Sequence, residues 1–191
     1  MKRFVTILTL ITLVLSLCAC SGSSGQGMSV KPSEFSKETR EVLAPFMDEL
    51  QFFDISFYES AKYWNISLWV KRGGEWFEDG RVSGEVKASS MRIAVWITDN
   101  GFELYSIEND GYQKYSYPQL ETDFDKSAAF FVSKLDGETP LELDCELTLW
   151  AKYGTEKTKI ETSATSADFR ATDYNSGSVV TLTVSDEPFE V

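Results

Sequence analysis

Apolar positions along this chain follow three different patterns, and each marks a different kind of element. Phe4 to Leu17 is an unbroken uncharged run of Phe, Val, Ile, Leu, Thr and Ser. Between Ser36 and Gln51 the apolar residues Val42, Leu43, Phe46, Met47 and Leu50 recur at helical spacing, with Lys37, Glu38, Arg40, Glu41, Asp48 and Glu49 on the opposite side. This predicts an amphipathic helix over 34–51, capped by Ser33 or Ser36 and kinked or split near Ala44, because Pro45 removes a ladder hydrogen bond. From Phe52 onward the period is two. Trp64, Ile66, Leu68 and Val70, then Met91, Ile93, Val95 and Ile97, then Leu141 to Leu149, then Val180, Leu182 and Val184 alternate with polar residues, as half-buried strands do.

Turn signals fall between these runs. Gly73-Gly74, Asp79-Gly80, Asn100-Gly101, Asp110-Gly111 and Asp136-Gly137 are dipeptides that tolerate positive φ in tight hairpins. The second and third of the Asn/Asp pairs bracket Phe102 to Ile107 and predict a three-strand meander. A weak internal repeat also emerges: Ile66-Ser-Leu-Trp-Val-Lys-Arg-Gly-Gly-Glu75 aligns without gaps on Leu147-Thr-Leu-Trp-Ala-Lys-Tyr-Gly-Thr-Glu156, each copy following a Phe-Phe pair. The expected fold is therefore mainly β, an antiparallel β-sandwich over 52–191, with 52–118 and 128–186 as candidate related units, preceded by one amphipathic helix. Each unit is small for a core of its own, so the two are expected to pack as a single sandwich.

The first twenty residues have a layout of their own. Lys2 and Arg3 precede the apolar run, which ends in Leu17-Cys18-Ala19-Cys20 and then small polar residues. The run is too short for a permanent spanning helix, and the layout is that of a signal peptide. Its end resembles the lipobox of bacterial lipoproteins, in which an apolar residue and two small ones precede the cysteine that becomes the mature N-terminus. The resemblance covers residues 1 to about 22. It implies removal of residues 1–19, a thioether to diacylglycerol on Cys20 and attachment to the outer side of a cell membrane in the cell envelope. Cys18 is a less usual occupant of the middle place than Ala, Ser or Thr. The Ser- and Gly-rich stretch that follows, 20–33, reads as a flexible tether holding the domain roughly 20 Å from the bilayer.

Charge narrows the partners. The chain has 18 basic and 30 acidic residues and a net charge of −12, and loss of Lys2 and Arg3 with a leader would bring it to −14. Such a surface repels phosphate backbones, so nucleic acid is not an expected partner. Of three cysteines, Cys18 leaves with the signal and Cys20 takes lipid. Cys145 remains alone, and alternation from Leu141 to Leu149 places it on the buried face of a strand. The chain contains no histidine, which excludes Ser-His-Asp and Cys-His nucleophiles and the common zinc sites. No phosphate-binding glycine loop follows a strand. The expectation is a non-catalytic protein without a cofactor. A carboxylate-dependent hydrolase stays formally open, because Asp and Glu are plentiful, but the same abundance makes any chosen pair unspecific. Asp123 and Asp125 are weak candidates for a structural calcium site, without the spacing of a complete calcium loop.

Tryptophan placement is the remaining signal. By strand parity Trp69, Trp96 and Trp150 point away from the apolar face of their strands, and two of them coincide in the repeat. Either they form an aromatic stacking surface for a glycan or protein ligand, or the second face is covered, for instance by the 34–51 helix, and they pack a secondary core. The functional expectation is a membrane-anchored binding module, the alternative a structural or accessory subunit of an envelope complex docking through its helix.

Overall fold

The computed structural model describes residues 27–47, 49–98, 101–108, 111–117, 120–158 and 168–190. Two antiparallel sheets pack face to face. The first has six strands in the order β7-β6-β5-β2-β1-β9, the second five in the order β4-β3-β11-β10-β8. The strands are β1 Ser29–Pro32, β2 Leu50–Ser56, β3 Tyr63–Arg72, β4 Glu75–Glu85, β5 Ser90–Thr98, β6 Gly101–Glu108, β7 Gly111–Tyr117, β8 Ala129–Lys134, β9 Thr139–Pro140, β10 Leu147–Thr155 and β11 Ser176–Ser185. The expected β-sandwich is the observed fold, and the meander β5-β6-β7 runs in the expected order.

The core between the sheets is made by the alternating positions. Val30, Phe53, Ile55, Ile93, Val95, Phe102 and Leu104 come from the six-stranded sheet, and Trp64, Ile66, Leu68, Val70, Val180, Leu182 and Val184 from the five-stranded one. At one side Tyr117 of β7 closes the sandwich by packing on Gly80 and donating to the carbonyl of Arg81 in β4. At the other, a short link carries β8 into β9.

Several expected boundaries move. Ser29–Pro32 falls within the expected tether but is a strand, because Val30 is fully buried and pairs with Ile55. The helix, α1, covers only Lys37–Leu43, with a 3-10 turn at Ala44–Phe46 that contains Pro45. Ser36 does cap it, accepting from Thr39 N at 3.2 Å. None of its residues is buried, and Val42 is 72% exposed. The apolar residues beyond the proline serve a different element: Leu50 opens β2, whose pairing with β5 competes successfully with helical continuation. Gly73-Gly74 turns the β3–β4 hairpin with φ of 59° and 86° as expected. Asp79-Gly80 lies inside β4, where a register shift opposite Leu68/Trp69 leaves Asp79 as a bulge.

Cys145 is exposed. The alternation from Leu141 to Leu149 is not one strand. Leu141 is anchored beside β1 through Met28, the chain then crosses between sheets through Asp144, held at φ 60°, and pairing resumes at Leu147. Leucines at both ends are inward because they belong to different sheets, so the parity does not carry through to Cys145.

Residues 52–118 and 128–186 each contribute strands to both sheets, so the proposed units interleave. The repeated segments themselves, in β3 and β10, are the two neighbours of β11 and run parallel to one another across it.

Candidate binding face

Each sheet has an outer face, and the two are treated differently by the chain. On the five-stranded sheet, Trp69 and Lys71 of β3, Trp76 of β4, Val179 of β11, Ala151 and Tyr153 of β10 and Phe131 of β8 point outward. The segment leading into β11 lies over them. Phe169, in a 3-10 turn at Phe169–Ala171, is buried in the centre, with ring centroids 4.8 Å from Trp76 and 5.7 Å from Trp69. Tyr174 stacks on Tyr153 at 4.7 Å, and burial followed by the Tyr174 neighbour pushes the Tyr153 hydroxyl up to about 12. Gly177 is required beneath this layer, since a Cβ there would lie 2.6 Å from Trp76 Cη2.

Polar groups fasten the cover. Arg170 lies over the Trp69 ring at 4.1 Å and donates to Glu146 at 2.6 Å, and the same carboxylate accepts from Trp69 Nε1 at 2.9 Å and Thr181 Oγ1 at 2.8 Å. Lys71, only 7% exposed, donates to the Thr172 carbonyl at 3.1 Å, and burial draws its pKa below the ordinary lysine range. This face therefore holds a secondary core of Ala151, Tyr153, Phe169 and Val179 with Trp69, Trp76, Phe131 and Tyr174 packed against it. The covering element is the Asp168–Tyr174 segment and not the helix.

The outer face of the six-stranded sheet carries no such layer among the described residues. Across it run Phe52 of β2, Ala94 and Trp96 of β5, Tyr105 and Ile107 of β6, and Tyr112 and Lys114 of β7, brought level by the register pairs Phe52↔Ala94, Ala94↔Tyr105 and Tyr105↔Lys114. Phe35, from the crossover before α1, covers one corner, meeting Phe52 edge-on at 5.1 Å. The rest has no covering segment among the described residues: Trp96 and Tyr105 are half-buried, with Lys114 Nζ 5.6 Å over the Tyr105 ring, and Tyr112 is exposed, its ring 5.6 Å from that of Tyr105.

Two ion pairs lie on this face. Arg92 grips Asp54 through Nε at 2.6 Å and Nη2 at 3.0 Å, and this interaction holds the Asp54 carboxyl below the usual range. Lys114 meets Glu103 at 2.6 Å and lowers its pKa, with a further bond from the Tyr105 hydroxyl. The Tyr105 hydroxyl is itself raised, by burial first and then by Glu103. The result is an aromatic surface flanked by two ion pairs.

The three tryptophans do not share a surface. Trp96 is on this open face. Trp69 is under Arg170 on the other sheet. Trp150 is 2% exposed and belongs to the central core, because a register shift between Thr148 and Trp150 inserts an extra residue and turns Leu149 and Trp150 both inward. Register shows the displacement: Trp69 stands opposite Val179 but Trp150 opposite Val180.

Asp123 and Asp125 do not converge either. Asp123 accepts from Lys126 at 2.7 Å and from Gly73 N at 2.8 Å, fastening its loop to the β3–β4 hairpin, and Lys126 is the main cause of its lowered pKa. Asp125 is exposed. Among the described residues no three His, Cys, Asp or Glu side chains are grouped to hold a metal ion. Beside Asp123 lies a pocket of about 410 Å³ that also reaches Lys71, Glu156 and Asp173. A second, of about 600 Å³, lies between Lys31, Glu34, Arg40 and Glu138. Both mix charges of the two signs. No helix among the described residues is long and apolar enough to cross a membrane. Cys20 and the whole 1–22 resemblance lie outside the described residues.

No family model, no curated protein and no solved structure matches this chain. The site is accordingly defined by its geometry. Sequence reasoning missed Tyr105, Tyr112 and Phe35 on the open face, and Phe169, Arg170 and Glu146 on the closed one. For Tyr105 the signal was present, since it has the opposite parity to Phe102 and Leu104 in the same strand. Phe169 offers none, being a single aromatic residue in a polar stretch.

Proposed function

We propose that this chain is a lipid-anchored binding protein of the extracytoplasmic face of a bacterial membrane, and that the open face of its six-stranded sheet stacks on the sugar rings of a linear glycan. One observation carries the binding half: the chain lays its own Phe169 segment over the aromatic residues of one sheet and lays no such segment over Trp96, Tyr105 and Tyr112 of the other among the described residues, where only the Lys114 side chain reaches over Tyr105. Aromatic faces set in a flat sheet match the apolar faces of pyranose rings, and the flanking Glu103–Lys114 and Asp54–Arg92 pairs offer hydrogen bonds to hydroxyls while leaving the surface close to neutral. An uncharged polymer avoids the repulsion that a −14 domain would exert on an anionic one.

The anchor half rests on Leu17-Cys18-Ala19-Cys20. Two acyl chains hold a protein firmly where one does so only marginally. With β1 beginning at Ser29, eight residues separate Cys20 from the first strand, a reach of at most about 28 Å. That keeps the open face within the envelope layer where structural glycans lie.

Retardation in native gels cast with soluble linear polysaccharides, together with co-sedimentation on purified peptidoglycan, tests the reading. Retardation by at least one of these probes is expected, weakened about tenfold by Trp96→Ala or Tyr105→Ala, the equivalent of about 1.4 kcal/mol, and unchanged by Trp69→Ala. Equal retardation of all three variants, or none with any probe, overturns it. An accessory-subunit role is favoured by a different observation, the unburied Val42 and Phe46 of the helical crossover. Loss of a co-purifying envelope protein on Val42→Ser with Phe46→Ser would favour that role.

A further inference from the structure

Sheet edges expose rows of backbone N–H and C=O groups, and proteins ordinarily blunt them with charge, bulges, proline or brevity. Three of the four edges here are blunted. β4 has the Asp79 bulge and Glu75, Glu78, Arg81 and Glu85. β9 is two residues long and ends in Pro140. β7 has Lys114 at its centre, where a two-fold partner strand would set a second lysine against it, and its last residue folds over onto β4. The remaining edge, β8, reads Ala-Phe-Phe-Val-Ser-Lys and pairs only with β10 among the described residues. It has no bulge, no proline and no acidic residue.

β8 also displays apolar side chains. Phe130 is 48% and Val132 36% exposed, on the face that extends past the two-residue β9 of the opposite sheet. Lys152 lies over the Phe130 ring at 5.3 Å without covering it. Lys134, from the same face, donates to the Met47 carbonyl, which ties the exposed Phe46 and Met47 of the crossover to this edge. Five of the eight large apolar side chains exposed among the described residues, namely Val42, Phe46, Met47, Phe130 and Val132, thus belong to two segments joined by one hydrogen bond.

The geometry points to a two-fold association in which β8 pairs antiparallel with β8 of a second copy, joining two five-stranded sheets into one. The backbone row requires an extended strand as occupant, and β8 itself satisfies the side-chain requirement. Opposite residues in an antiparallel pair share a face, so a two-fold register must be centred on a residue and not between two. Centred on Phe131, it sets Phe130 of each copy against Val132 of the other, an aromatic and β-branched pair of the favourable kind, twice over. Lys134 falls opposite Ala128, so no like charges meet. A six-residue strand is about 20 Å long, and such a contact, even extended by Phe46 and Met47, lies at the small end of specific interfaces. Association should therefore depend on concentration. It should also strengthen with salt, which screens the repulsion between two acidic copies.

The test uses the chain from Gly27, which contains every strand of both sheets, in a Cys145→Ser background. Sedimentation equilibrium is expected to show a monomer–dimer equilibrium that shifts toward dimer with added salt. Separately oxidised Phe130→Cys and Val132→Cys proteins are expected to crosslink poorly alone and to form disulfide-linked heterodimers when mixed. Both positions are exposed, and a far-ultraviolet spectrum matching the parent shows that folding is intact. A monomeric mass at every concentration and salt overturns the association. Crosslinking of either variant with itself in preference to the mixture overturns the register.

Discussion

Asp54 shows how much a single residue of the open face is asked to do. Its carboxylate accepts from Nε and Nη2 of Arg92 and from the hydroxyl of Ser33 at 2.9 Å, and the same guanidinium lies 5.5 Å over Phe35, so one ion pair positions the aromatic corner of the face. Because the folded-state pKa is lowered, this contribution is complete above the ordinary carboxylate range and is lost as pH falls through and below it. Both partners are partly exposed, so screening limits the sum to roughly 1 kcal/mol or less. Thermal melts from pH 7 down to pH 3 should show Asp54→Asn less stable than the parent at neutral pH, with the difference shrinking toward the acid end. A constant difference across the range would mean that the pair is not the source. The residues of this pair were plainly charged in the sequence, but nothing local linked positions 38 apart, which only the β2–β5 register brings together.

At the scale of elements, pattern sufficed wherever a strand keeps one face inward for its whole length, as β3, β5 and β11 do. It failed where the backbone inserts or turns a residue. The extra residue before Trp150 reverses parity for the second half of β10, and the left-handed Asp144 lets one alternating run serve two sheets. Bulges have no composition of their own, so the repeat sets Trp69 against Trp150 although their side chains lie on opposite faces. The cover over the five-stranded sheet was equally illegible, since a 3-10 turn of three residues has no period. Its importance is testable. Phe169→Ala removes the centre of the secondary core and should cost about 3 kcal/mol, read from urea melts. Emission from Trp69 and Trp76 should shift to the red as water enters. Retention of parental stability and emission would show that Phe169 is not the seal.

For the molecule as a whole, the two sheets divide the work. One encloses its aromatic residues, and the other presents them beside the Asp54–Arg92 and Glu103–Lys114 ion pairs, within a chain that is strongly acidic. The lipid proposed on Cys20 would supply a means of staying at a membrane that a strongly acidic domain does not gain from attraction to anionic lipid. Hydroxyl-radical footprinting with and without a retarding polysaccharide reads both faces in one experiment. The account predicts protection of Trp96, Tyr105 and Tyr112 on binding, with Trp69, Trp76 and Tyr153 unchanged. Protection of Trp69 and Trp76 with no change at Tyr105 and Tyr112 would contradict it.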